Sequence, residues 1–141
     1  MLSHASRQPR VWLIFNVRQS FAQFLQVSLT PAHTSEVLAE AGKFIARHRP
    51  KPEIRDKLDY RADIRDAELI LSEVRPRFDA PDEILNLPFA KLRWFKSRAM
   101  WKLYWKRASE KWELYPPDPF HHSLEKALKV VSSDKHGCFF G

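Results

Sequence analysis

The sequence contains little cysteine and little glycine, and each shortage excludes a kind of architecture. Cys138 is the only cysteine in 141 residues, so no disulfide can form within the chain. A lone thiol fits a reducing compartment, and we expect a cytoplasmic protein. Three glycines argue against a loop-dominated or glycine-rich binding architecture.

Long apolar runs are also missing. The most apolar stretch, residues 11–29, is interrupted by Asn16, Arg18 and three glutamines. A membrane-spanning helix needs about 20 mainly apolar residues, and a secretion signal needs an uninterrupted apolar centre. We therefore predict no membrane segment. Residues 1–29 are interpreted as a poorly ordered or extraneous N-terminal extension, and residues 30–141 as a single domain.

Positive charge is abundant but confined to one part of the chain. Residues 89–111 contain eight basic residues and one acid, Glu110, and so carry the whole formal net charge of +7. The rest of the sequence is neutral on balance. A cluster of this kind creates a local field that attracts polyanions.

Two segments have the periodicity and the capping residues of helices. Thr30 and Pro31 are a helix start signal, and Pro50 ends the segment. Ser123 is a second N-cap, for a helix that ends near Ser133. The apolar stripe of the first helix is Val37, Leu38, Ala41, Phe44 and Ile45, and that of the second is Leu124, Leu128 and Val131 with Ala127 and Val130.

Alternating apolar and polar residues predict five strands. Strands over 58–64 and 68–74 form a hairpin about a turn at Arg65 and Asp66. The proline-rich, acidic residues 76–88 are interpreted as a connection, and further strands are predicted at 89–95, 100–107 and 111–115. The fold class is α+β: a five-stranded antiparallel meander-like sheet with an N-terminal and a C-terminal helix packed on one face.

The last two predicted strands sort their side chains into two sets. A period of two puts one set on the helix-covered face and the other on the opposite face. The first set is Trp101, Leu103, Trp105, Trp112 and Leu114, and the second is Lys102, Tyr104, Lys106, Glu113 and Tyr115. The tryptophans are therefore predicted to belong to the core.

Several motifs in residues 44–141 resemble a family of short bacterial proteins. The motifs, in order, are F-I-A-R-H-R-P-K-P-E-I-R-D-K-L-D-Y, E-V-R-P-R-F, W-K-L-Y-W-K-R-A-S-E-K-W-E-L-Y, S-L-E-K-A-L and D-K-H-G-C-F-F-G. The family is known only as domain of unknown function three-zero-two-four. The resemblance implies a small bacterial α+β protein and no particular activity. Family members more often close on F-W-G, so Phe140 is a departure.

The first candidate site lies on the sheet face opposite the helices. Its members combine cations that pair with phosphates and rings on which bases can stack. They are Lys91, Arg93, Phe95, Lys102, Tyr104, Lys106 and Arg107. This pattern predicts binding of nucleic acid, single-stranded above all, or of another polyanion. The alternative is an ordinary solvent-facing side of an antiparallel sheet.

A second candidate site is a group of arginines. Arg47, Arg49, Arg75 and Arg77 could form an anion pocket, because guanidinium groups bind phosphate and carboxylate bidentately. The alternative is structural pairing with Glu53, Asp56, Glu73 and Asp79. Catalysis in such an arginine-lined pocket is a further alternative function.

The residues typical of metal sites and thiol catalysis are few. They are His121, His122, His136 and Cys138, too few and too unevenly spaced to predict a metal site or a nucleophile with its base. We therefore expect no metal, no cofactor and no catalysis. The leading hypothesis is a non-catalytic binding module for nucleic acid or another polyanion. The alternative is a protein interaction or structural module, suggested by short edge strands and the acidic connection 76–88.

Overall fold

Two helices and a six-stranded antiparallel sheet make up residues 29–140, the part of the chain that the computed structural model describes. The elements are α1 (Pro31–His48), β1 (Asp59–Arg65), β2 (Glu68–Pro76), β3 (Ile84–Phe95), β4 (Met100–Lys106), β5 (Trp112–Leu114), β6 (Phe120–His121) and α2 (Leu124–Ser133). The predicted α+β class is confirmed. The predicted extension, residues 1–29, lies outside the described residues except for Leu29, which is buried in the core.

Both helices begin at the predicted caps. The Thr30 hydroxyl accepts a hydrogen bond from the His33 N–H at 3.1 Å, and the Ser123 hydroxyl accepts one from the Lys126 N–H at 3.2 Å. Each bond satisfies an N–H that lacks a partner inside the helix. The caps therefore fix where both helices start.

The strands pair in the order β1-β2-β3-β4-β5, and β6 pairs with β4 beside β5. β3 is longer than predicted, because it begins at Ile84 and continues through Pro88. The interpretation of residues 76–88 as a connection is therefore wrong from Ile84 onward, and β6 was not predicted. Pro88 is tolerated because the β2–β3 register shifts there: Leu71 pairs with Ala90 and Ser72 with Pro88.

The core lies between the helices and one sheet face. The fully buried sheet residues on that face include Ala62, Ile64, Leu69, Leu71, Leu92, Trp101 and Leu103. Val37 and Phe44 of α1 and Leu124 and Val131 of α2 are buried in the same cluster. Because side chains alternate along each strand, this leaves the opposite face of the sheet to the polar and basic residues.

The C-terminal tail packs back against the sheet. The Asp134 carboxylate accepts hydrogen bonds from the backbone N–H groups of Phe139 and Phe140, each at 2.9 Å. Phe139 is buried against Tyr115, and the Phe140 ring lies 5.2 Å from that of Phe89. The position that departs from the family's closing motif is thus part of an aromatic cluster.

A buried ion pair connects the end of α1 to the start of β1. Arg49 donates Nε to Asp59 at 2.9 Å and Nη2 to the other carboxylate oxygen at 2.6 Å. Asp59 is 1 % exposed. Loss of one partner of such a pair leaves a buried charge without compensation, which costs more than loss of an exposed pair.

We expect Arg49→Met to lower the free energy of unfolding by about 3–5 kcal/mol, because it leaves Asp59 buried and unpaired. Urea unfolding followed by tryptophan fluorescence measures the loss. The matched control is Lys129→Met, which breaks the exposed pair with Glu125 and should cost less than about 1 kcal/mol. Equal losses in the two variants would contradict the prediction.

His48 contributes a dependence of stability on pH. Its Nε2 lies 2.8 Å from the Ser132 hydroxyl, and its ring is 4.4 Å from Phe44 and 5.1 Å from Phe140. Burial, and secondarily the charge of Arg47, lowers the pKa of His48 below its ordinary 6.5. The unfolded chain therefore binds the proton more tightly than the folded protein does.

We expect stability from His48 to be complete above pH 6.5 and to be lost progressively as the pH falls below it. His48→Gln removes the titrating group, so its free energy of unfolding should fall less than that of the wild type between pH 6.5 and about 5. Urea unfolding across this range is the measurement, and His122→Gln, at an exposed histidine, is the control. If the free energy of unfolding of His48→Gln fell with pH as steeply as that of the wild type, His48 would not be the titrating group.

Candidate nucleic-acid interface

The predicted basic residues of β3 and β4 lie together on the sheet face opposite the helices, whereas Arg107 follows β4 in the turn to β5. Lys91 pairs with Tyr104, and Arg93 with Lys102, in the β3–β4 register, and residues paired in this way point to the same face. We call this surface the basic face. It consists of Lys91, Arg93, Phe95, Lys102, Tyr104, Lys106 and Trp112.

Trp112 and Leu114 lie on the sheet face opposite the helices, so their prediction as core residues is wrong. In the β4–β5 register Tyr104 pairs with Leu114 and Lys106 with Trp112. Tyr115, predicted on the outer side, is 1 % exposed in the core. Alternation fixes faces only within one strand, whereas the face of the next strand depends on the turn between them. Here the turn contains Glu110 in the left-handed region, at φ 71°.

Three lysine ammonium groups lie over aromatic rings of the basic face. Lys91 Nζ is 4.7 Å from the ring centre of Tyr104 and 5.2 Å from that of Trp112. Lys106 Nζ is 5.2 Å from Trp112. Lys102 Nζ is 4.0 Å from Phe95. Cations and ring faces therefore alternate across the surface within a few ångströms.

Carboxylates neutralise part of this charge. Glu68 accepts from Arg93 at 2.9 Å and lies 3.6 Å from Lys91. Beyond this, Lys106 is 3.7 Å from Glu110 and Arg107 is 3.8 Å from Glu113. Pairs with distances of this length, in which at least one partner is exposed, are loose. Among residues 29–140, no carboxylate lies within ion-pair distance of Lys102.

The four arginines of the predicted anion pocket are mostly engaged by acids. Arg49 pairs with Asp59, and Arg75 with Glu73. Arg77 donates to Asp79 and Glu83, and its hydrogen bonds hold the pKa of Asp79 below its ordinary value. For Glu73 and Asp79 the structural pairing is confirmed. Arg47 is exposed at the end of α1 and shares a crevice of about 40 Å³ with residues of α2.

The candidate metal and thiol residues do not come together. Within residues 29–140, no group of three His, Cys, Asp or Glu side chains is arranged to hold a metal ion. His121 Nε2 is instead 2.9 Å from the backbone oxygen of Asp118. Burial and the charge of Asp134 raise the pKa of the Cys138 thiol, which disfavours the thiolate needed for nucleophilic attack.

Sequence reasoning missed a cavity of about 240 Å³ beside the basic face. It lies where the β2–β3 register shift, the β4–β5 turn and the C-terminal tail meet, and it is lined by Leu87, Pro88, Phe89, Lys106, Arg107, Glu110, Cys138 and Phe139. The proline at position 88 was the available signal, since proline within a strand marks a bulge or an edge.

Neither described helix combines the length and the apolarity needed to cross a membrane.

The corrected position of Trp112 can be checked by mutation. Trp101→Ala should lower the free energy of unfolding by about 3–5 kcal/mol because Trp101 is 1 % exposed. Trp112→Ala should cost only about 1 kcal/mol, since it mainly loses contacts with Lys91 and Lys106. Urea unfolding measures both, and equal costs would show that Trp112 is a core residue.

Comparison with known proteins gave a match to a family model. No curated protein and no solved structure matches the chain. A family model described as "Domain of unknown function (DUF3024)" matches residues 30–141. This match covers both helices, the whole sheet and the basic face. The chain therefore belongs to the family described as a domain of unknown function, DUF3024.

Proposed function

We propose that the protein is a non-catalytic binding module for nucleic acid or another polyanion, with the basic face as its binding surface. The observation that carries the proposal is the placement of Lys91, Lys102 and Lys106 over aromatic rings on the sheet face opposite the two described helices. One nucleotide offers a phosphate that pairs with a lysine and a base that stacks on a ring. The surface can thus bind both groups at neighbouring points.

The energies favour replacement of the lysine contacts by bases. A lysine over an aromatic ring contributes about 0.5–1 kcal/mol at an exposed site and up to about 2 kcal/mol when desolvated, whereas a stacked base contributes about 1–3 kcal/mol. A displaced lysine keeps its favourable energy by pairing with the adjacent phosphate, because its long side chain can move while its stem stays packed.

Single strands fit this surface better than duplexes. Stacking requires bases that are already unpaired, and the bases of a duplex present only their edges. The basic face belongs to a sheet, and among the described residues neither helix contributes to it. A duplex could therefore reach the lysines only with its phosphates.

We expect Lys102→Glu/Lys106→Glu to weaken binding of single-stranded oligonucleotides by at least about tenfold at low salt, since two phosphate contacts become repulsive. Fluorescence anisotropy against single-stranded and duplex DNA measures the affinity. The slope of log K against log salt should fall by about 1.4, at about 0.7 for each lost phosphate contact on a single strand.

The charge-matched control is Lys57→Glu/Lys126→Glu, which changes two exposed lysines away from the basic face. This variant should bind nearly as well as the wild type. Equal weakening in both double variants would show that net charge, and not the basic face, determines the affinity. Wild-type protein that binds no better than a neutral protein would refute the function.

Interaction with a protein partner is the second candidate. Phe78 is fully exposed at the tip of the β2–β3 hairpin, a position that Arg77 stabilises through its bonds to Asp79 and Glu83. Exposed aromatic side chains on ordered backbone are typical anchors of protein interfaces. The oligonucleotide titration separates the candidates, because Phe78→Ser should leave nucleic-acid affinity unchanged.

A further inference from the structure

The cavity beside the basic face has apolar walls and a basic margin. Leu87, Pro88, Phe89 and Phe139 provide the walls. Lys106 and Arg107 line one side with Glu110, and the Cys138 thiol lines another part of the cavity. The lining is thus half apolar and half polar or charged, and ligand sites combine apolar side chains with convergent polar groups.

The backbone holds these walls in place. The register shift leaves Phe89 without a partner on β2, between the pairs of Ser72 with Pro88 and Leu71 with Ala90. On the other side, the Asp134 carboxylate fixes the tail that carries Phe139. The cavity is therefore built by ordered strand and tail, which favours a preformed site.

Its volume suits one small ring system. A volume of 240 Å³ corresponds to about eight water molecules in the liquid. Sites for drug-sized ligands are larger, at about 300–1,000 Å³. A single nucleobase is a flat group of suitable size, with aromatic faces and polar edges.

Lys106 joins the cavity to the basic face. It lines the cavity and also lies over Trp112 on the face. Arg107, whose side chain is 57 % exposed, lines the cavity next to it. Glu110 is the opposing charge, but it is 83 % exposed and 3.7 Å from Lys106, so it can turn outward when an anion arrives. A phosphate at Lys106 and Arg107 would place its own base at the cavity mouth.

We propose that the cavity receives one unstacked base of a single strand bound along the basic face, with the adjoining phosphate on Lys106 and Arg107. This inference rests on the proposed function and narrows it. The ligand is a strand that carries bases, and a polyanion without bases would occupy the basic face alone.

Cys138, the only cysteine of the chain, reports on occupancy of the cavity. The rate of its alkylation by N-ethylmaleimide is measured for the full chain with saturating oligothymidylate, with the same strand lacking its bases, and with inorganic polyphosphate. At a ligand concentration about 100 times Kd, oligothymidylate should slow alkylation at least about tenfold. The two ligands without bases should slow it less than about twofold, because they leave the cavity open.

A variant that fills the cavity provides a second measurement. Leu87→Trp should abolish the affinity advantage of oligothymidylate over the strand without bases, which is at least about fivefold for one stacked base. The control is Ile84→Trp, which should keep that advantage. Ile84 is another exposed apolar residue of β3, and its side chain points to the other face of the sheet from that of Leu87.

The outcomes separate the two proposals. If none of the three ligands binds, the proposed function itself is wrong. If oligothymidylate binds without protecting Cys138, or if all three ligands protect it equally, the basic face is the binding surface and the cavity is not a base site. The wild-type alkylation result decides the matter even if Leu87→Trp fails to fold.

Discussion

The register shift at Phe89 is the constraint on which the rest of the structure depends. On the C-terminal side of the shift, the side chains of β3 alternate between the core, where Leu92 lies, and the basic face, where Lys91 and Arg93 lie. On its N-terminal side, one extra residue changes the pairing with β2, which accommodates Pro88, a residue without an N–H to donate to the sheet. The same shift leaves Phe89 to face the C-terminal tail. One irregularity thus separates the regular basic face from the cavity.

The parts of the fold that depend on local patterns could be predicted from the sequence. The capped helices and the alternation in β1 and β4 are signals carried within a few residues, so the α+β class and five of the six strands followed from them. The start of β3 did not, because three prolines in residues 76–88 indicated a connection. Strand pairing overrode that local preference once the register shift accommodated Pro88.

The candidate site was predictable to the same extent. Lys91, Arg93, Lys102, Tyr104 and Lys106 share one face because they alternate with core residues within their own strands. Trp112 lies on the same face because of the geometry of the β4–β5 turn, and the pattern within a single strand does not indicate that geometry. An ion pair between residues close in sequence, such as Arg75 with Glu73, could be predicted. The ion pair of Arg49 with Asp59 could not, because the loop between the two residues determines which acid lies next to the guanidinium group.

The packing of the tail sets the order in which the domain can be completed during synthesis. The Phe140 ring contacts Phe44, Tyr60 and Phe89, residues that leave the ribosome well before it. The sheet and α1 can pair earlier, but the aromatic cluster stays open to water until the tail emerges. Chains grow at about 5–20 residues per second, so the nascent domain spends seconds with exposed aromatic surface.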